Sequence, residues 1–113
     1  MSLSYKIFDD EIVVISLSDR LDASNADVLK KVFEGEITGF GKFVFDLSEL
    51  EYLDSAGLGG LVYCLKISDS KKGVLKISSL NTKPKLVFEI TRADKVFDIY
   101  DNLDDALKSF KTV

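Results

Sequence analysis

One stretch of the chain combines residue types that can do chemistry: Leu53-Asp54-Ser55-Ala56-Gly57-Leu58-Gly59-Gly60. An aspartate and a serine stand directly ahead of an apolar helical stripe formed by Leu58, Leu61, Val62 and Leu65. Either side chain is a natural helix N-cap. A serine there is exposed, and its hydroxyl is within reach of a kinase. Phosphorylation adds a charge of about −1.5 to −2 and strong acceptor oxygens. A helix N-terminus tolerates that charge, while the neighbouring Asp54 repels it. The fold can stay intact while the surface potential changes, which suits a binding switch. Two plainer readings stand beside this one. The serine could serve only as a cap. The glycines, each costing about 0.5–1 kcal/mol relative to alanine inside a helix, could serve only to let a helix pack closely on a sheet.

Other chemistries find little support. No Gly-Lys-Ser/Thr follows the glycines and no Gly-x-Gly-x-x-Gly is present, so a nucleotide cradle is not expected. Histidine is absent, which removes His-based triads and His-ligated metal sites. A single cysteine, Cys64, excludes an intrachain disulfide and a Cys-rich zinc site; it lies in the helical stripe and reads as a small core residue. Asp98, Asp101, Asp104 and Asp105 lack EF-hand spacing and read as helix-capping residues, and no cofactor is expected. The net charge of −4 argues against nucleic acid as a partner. The longest apolar run, Ala56 to Leu65, is too short to span a bilayer, and the N-terminus lacks the features of a signal peptide. The expectation is a cytoplasmic protein that engages no membrane.

The elements that must position Ser55 follow from the pattern. Leu3, Tyr5 and Ile7 alternate with Ser4 and Lys6, as on a half-buried strand. A turn at Asp9-Asp10 then joins it to a more buried strand over Ile12–Leu17. A helix follows with Ala26, Leu29, Val32 and Phe33 on one face, Ser24 and Asp27 as a capping box, and Gly35 as its stop. Phe43–Leu47 reads as a central strand, which a loop carries to Asp54-Ser55. The second helix closes at Lys71-Lys72-Gly73, and Val74, Leu75 and Ile77 form the next strand. Pro84 falls in the first turn of a third helix whose Leu86, Val87 and Ile90 face inward. Val96–Tyr100 is a last strand. The closing helix starts near Asp101 or Asn102 and buries Leu103, Ala106, Leu107 and Phe110. The order ββαβαβαβα implies an α/β fold, a mixed and mostly parallel sheet packed with helices. One domain over residues 1–113 is expected, with loose ends at Met1-Ser2 and Thr112-Val113.

These residues resemble a known family. Leu53-Asp54-Ser55-Ala56-Gly57-Leu58-Gly59 is similar to the signature of STAS domains, specifically of bacterial anti-sigma factor antagonists. Arg20-Leu21-Asp22-Ala23 sits where that family has Gly-x-Leu-Asp before its first helix. Phe43–Ser48 resembles the central strand, and Ile99–Leu107 the closing strand and helix. The resemblance spans essentially the whole chain and implies a STAS-like fold without enzymatic activity. It implies that Ser55 is phosphorylated by an anti-sigma factor that is also a serine kinase of the histidine-kinase-like ATPase fold. A PP2C-type phosphatase would reverse the step. Asp22, Asp54, Ser55, Ala56, Gly57, Leu58 and Gly59 would form the partner-binding surface, with Asp22 and Asp54 positioning the partner or the loop. The resemblance departs from the pattern at Asp19-Arg20, which replaces the usual glycine, so a different turn is expected there. Two alternatives remain at this level: a STAS scaffold that binds a partner or small ligand without phosphorylation, and a carboxylate hydrolase built on Asp22 and Asp54. The hydrolase requires a sizeable pocket between those two residues.

Overall fold

The computed structural model describes residues 1–35, 37 and 39–111. Its elements run β1 (Ser2–Phe8), β2 (Ile12–Leu21), α1 (Ala26–Gly35), β3 (Lys42–Leu53), α2 (Ser55–Ser70), β4 (Val74–Ser78), α3 (Thr82–Ile90), a 3-10 turn (Ala93–Lys95), β5 (Asp98–Tyr100) and α4 (Leu103–Ser109). The strands form one sheet in the order β1-β2-β3-β4-β5. β1 is antiparallel to β2, and every other neighbouring pair is parallel. Each parallel pair is joined by a crossover helix, as parallel pairing requires. The expected α/β order and the mixed, mostly parallel sheet are therefore observed.

Helices cover both faces of the sheet. Val13, Ile15 and Leu17 of β2 and Phe43, Phe45 and Leu47 of β3 join Leu29, Phe33, Leu61 and Phe88 in the main core. Phe33 packs on Phe43 and Phe45 with ring centroids 4.8 and 6.2 Å away. On the opposite face Ile12, Val14 and Val44 meet Ala106, with Leu103, Leu107 and Phe110 around them. β2 is buried on both sides over Ile12–Ile15, which is why its sequence is a continuous apolar run rather than an alternating one. No helix among the described residues is long and apolar enough to cross a membrane.

Several expectations need correction. Leu3, Tyr5 and Ile7 do point to the face that α1 and α2 cover, since they pair with Leu17, Ile15 and Val13. β1 is the sheet edge, however, and Tyr5 and Ile7 remain 40% and 47% exposed. Ser24 makes no capping box: its hydroxyl donates to Asp22, and α1 begins at Ala26. On α3 the inward stripe is Pro84, Val87 and Phe88, at helical spacing; Leu86 and Ile90 point outward, 54% and 73% exposed. β5 is only Asp98–Tyr100, because the residues before it wind into the 3-10 turn. Met1 packs on the main core and Ser2 pairs with Ser18, so the N-terminal end is held rather than loose. Thr112 and Val113 lie outside the described residues.

Candidate phosphorylation and partner-binding site

The site is built by the register of two neighbouring strands. β2 and β3 run parallel with Leu21 opposite Leu53, so Asp22 and Asp54 leave the sheet side by side at the same edge. β3 runs on to Leu53, well past the expected end at Leu47, and only Asp54 separates it from α2. The expected loop before Asp54-Ser55 is therefore absent, because β3 stays paired with β2 along that length.

Asp54 is the helix cap. Its backbone is extended (φ −112°, ψ −176°), and its carboxylate Oδ1 accepts from the Gly57 amide at 2.8 Å. Ser55 is then the first helical residue. Its side chain is exposed and makes no hydrogen bond with the described residues. The reading of Ser55 as a structural cap is thus replaced by one in which Asp54 caps and leaves the serine hydroxyl unengaged.

Two of the three glycines are explained by packing. Gly57 is buried, and a Cβ there would lie 2.1 Å from the Leu21 carbonyl oxygen. That same carbonyl accepts from the Asp54 amide at 3.4 Å, so the first turn of α2 is seated on the end of β2. A Cβ at Gly60 would touch Ala26 of α1 at 3.4 Å. Gly59 is different. It is exposed, and nothing lies within 4 Å of where its Cβ would be. Of the remaining site residues, Ala56 is exposed and Leu58 is buried with an edge on the surface.

Asp22 organises its own loop. It accepts from the Ser24 hydroxyl at 2.5 Å, the Ser24 amide at 2.9 Å and Arg20 Nε at 2.7 Å. Its amide donates to Asn25 Oδ1 at 2.9 Å, and Asn25 Nδ2 donates back to the Arg20 carbonyl at 3.0 Å. Arg20 also lies over the Tyr52 ring, 4.8 Å from its centroid. The Ser24 hydroxyl, with Arg20 beside it, holds the Asp22 carboxyl below its ordinary value. Ahead of it Asp19 takes a left-handed backbone (φ 67°) at a break in the β2–β3 register. Aspartate accepts that conformation more readily than most residues. The Asp22 carboxylate accepts from Ser24 and Arg20, and the Asp54 carboxylate from the Gly57 amide.

A shallow groove of about 380 Å³ opens from Ser55 along the outer side of α2. Leu58, Gly59, Val62 and Tyr63 line it, and Lys30 of α1 and Lys66 of α2 flank it. Lys30 Nζ sits 5.3 Å from the Tyr63 ring centroid. Ser55, Gly59 and Lys66 are exposed along one side of α2, while Val62, expected in the buried stripe, is only half-buried: it packs on the main core and also lines the groove. Lys30 joins them only through the α1–α2 packing, which no local pattern reveals.

The chain was compared with known proteins. The STAS domain family model matches residues 6–106. A Thermotoga maritima protein named as an anti-sigma factor antagonist is 34% identical over 109 residues, covering 95% of this chain and 96% of its own. The crystal structure from that organism superposes with a TM-score of 0.90 at 34% identity, over 97% of this chain and 95% of that one. The anti-sigma F factor antagonist of Paenibacillus polymyxa is 25% identical over 104 residues, 90% of this chain and 89% of its own. The Bacillus cell fate determinant SpoIIAA in its phosphorylated form shares the fold, with a TM-score of 0.75 at 15% identity over 96% of this chain and 99% of that one. A family match over residues 6–106, with a relative 34% identical over 95% of this chain, shows that the chain belongs to the STAS domain family.

Proposed function

We propose that this chain is an anti-sigma factor antagonist that binds its anti-sigma factor when Ser55 is unmodified and releases it when Ser55 is phosphorylated. One observation carries the reading: Ser55 occupies the first turn of α2 with an exposed hydroxyl that the fold does not use, because Asp54 supplies the cap. Relatives named as anti-sigma factor antagonists support the choice of partner. In the phosphoryl transfer Ser55 Oγ attacks the γ-phosphorus of ATP, the bond to ADP breaks, and the hydroxyl proton passes to a base. On this reading the partner provides that base, and this chain is a substrate rather than a catalyst. The partner is then an anti-sigma factor with serine kinase activity and a histidine-kinase-like ATPase fold, and a PP2C-type phosphatase resets the switch in the cytoplasm.

The added phosphate, with a charge of about −1.5 to −2, removes no contact inside the fold. It meets favourable amides at the start of α2 and the repelling carboxylate of Asp54. The change therefore acts on the partner that approaches the groove between Lys30 and Lys66. The test incubates the chain with the cognate kinase and ATP and locates phosphate by mass spectrometry. Transfer to Ser55, abolished in Ser55→Ala, is expected. Ser55→Asp is expected to fold normally and bind the kinase much more weakly. Undiminished binding by Ser55→Asp would overturn the switch and leave a phosphorylation-independent scaffold.

A further inference from the structure

The groove that opens at Ser55 carries a charge opposite to that of the chain. Its lining holds Lys30 and Lys66 and no carboxylate, while the whole chain has a net charge of −4. Two other clefts of comparable size are balanced. Glu51 and Lys83 line one of about 460 Å³ at the start of α3, and Asp9 and Asp104 stand with Lys108 and Lys111 in one of about 330 Å³ beside α4. A second observation falls on the same groove. Gly59 lies inside α2, where a glycine costs about 1 kcal/mol relative to alanine. Packing within the fold does not call for it, since nothing lies within 4 Å of where its Cβ would be. An exposed glycine of this kind lets another backbone approach closely.

From this, and resting on the reading of the chain as an antagonist, we infer that the groove seats an acidic segment of the anti-sigma factor. Its carboxylates meet Lys30 and Lys66, an aliphatic side chain lies on Leu58 and Val62, and its backbone passes close over Gly59. Lys30 is held against the Tyr63 ring and pairs with Asp27 at 3.6 Å. The Asp27 side chain is 86% exposed, and an exposed pair of this kind contributes at most about 1 kcal/mol, so a partner carboxylate can take its place. Glu34 of α1 raises the pKa of the Tyr63 hydroxyl but does not line the groove. Lys66 lies three turns beyond Ser55, about 16 Å along the helix axis. Screening in physiological salt acts over about 8 Å, so Lys66 acts on what lies beside it in the groove and not on a phosphate at Ser55. Rim charges of this kind set partner choice and association rate. Ser55 then decides whether the partner binds, and the two lysines decide which partner.

The test measures binding of the cognate anti-sigma factor to the full chain by calorimetry, without ATP so that Ser55 stays unmodified, at about 50 and about 300 mM NaCl. Lys66→Glu, at an exposed position, should weaken binding about tenfold at the lower salt, and adding Lys30→Glu should weaken it further. Affinity of the unmodified chain should fall as salt rises, and that of the double variant much less. Lys66→Arg should keep the affinity. Lys83→Glu makes the same change in net charge outside the groove and should bind as the unmodified chain does. Gly59→Ala should bind several-fold more weakly even though it folds more stably. Unchanged affinity in Lys66→Glu or in Gly59→Ala, an equal loss in Lys83→Glu, or tighter binding by the double variant would overturn the assignment. The switch fails separately. Ser55→Asp and Lys66→Glu lie far enough apart for their effects to add, so undiminished binding by Ser55→Asp beside a loss in Lys66→Glu would refute the switch and support the groove.

Discussion

Alanine at two neighbouring glycines of α2 should have opposite effects on stability. At Gly57 the new Cβ would stand 2.1 Å from the Leu21 carbonyl oxygen and 2.6 Å from its carbon, against the 3.4 Å at which ordinary contact begins. Both obstacles are backbone, so relief requires α2 to lift from the end of β2. Overpacking of this kind costs about 3 kcal/mol, offset by about 1 kcal/mol of improved helix propensity. The net expectation is a loss of about 2 kcal/mol. At Gly59 the Cβ would meet nothing within 4 Å, and only the propensity gain of about 1 kcal/mol remains. For a chain of this length 1 kcal/mol moves the Tm by about 4 °C. Thermal unfolding followed by circular dichroism should therefore place Gly57→Ala about 8 °C below the unmodified protein and Gly59→Ala about 4 °C above it. Urea unfolding provides the independent check. If Gly57→Ala matches or exceeds the stability of the unmodified protein, α2 is not seated on Leu21 and the account of the site's geometry fails.

Three other measurements probe the same region. Asp54→Ala should lose about 1 kcal/mol through the missing cap, whereas Ser55→Ala should stay within about 0.5 kcal/mol; equal losses would mean that the serine shares the capping. Asp22 titrates lower in the folded chain than in the unfolded one, so its contribution to stability is present above the unfolded value, about 3.9. That contribution is lost as pH falls through the folded value. Urea unfolding across about pH 5 to 3 should show a shallower decline in Asp22→Asn than in the unmodified chain, and ¹³C detection should show the Asp22 carboxyl titrating below the usual range until Ser24→Ala raises it. Burial pushes the Cys64 thiol up to about 12, so a disulfide reagent at pH 8 should label it only after denaturation; prompt labelling of the folded chain would show α2 opening from the sheet.

The fold was legible where burial imposes a strict period. The run Ile12–Leu17, the stripe Leu58–Leu61–Leu65 and the closing helix with Ala106 all carry a single signal. Legibility failed where two faces compete or an edge intervenes. On α3, Leu86 and Ile90 are large and aliphatic, and periodicity alone drew them inward. The buried choice fell instead on Pro84 and Phe88, whose orientation depends on how Asn81 ties the helix to β3 by donating to the Ser48 and Leu50 carbonyls at 2.8 and 2.9 Å. β1 alternates as a half-buried strand should, but which strand ends a sheet is not written in its own residues. At the site, Asp54 and Ser55 could be found from their adjacency to an apolar stripe. Their division of labour could not, because it depends on which carboxylate oxygen faces the Gly57 amide. The loop of Arg20, Asp22, Ser24 and Asn25 shows the same limit: the residues suggest hydrogen bonding, and only the folded chain shows with whom.

The seat of α2 on the Leu21 carbonyl bears on how the molecule matures. The Asp54 amide reaches the Leu21 carbonyl only after β2 and β3 have paired across the intervening α1, a nonlocal step that forms late compared with any single helix. A nascent or damaged chain carries the same amino acids without the same turn. An enzyme that reads the turn rather than the string would ignore such chains. On the proposed reading, the cell would be counting finished molecules: synthesis errors and heat damage would lower the antagonist's effective dose before any phosphate is transferred.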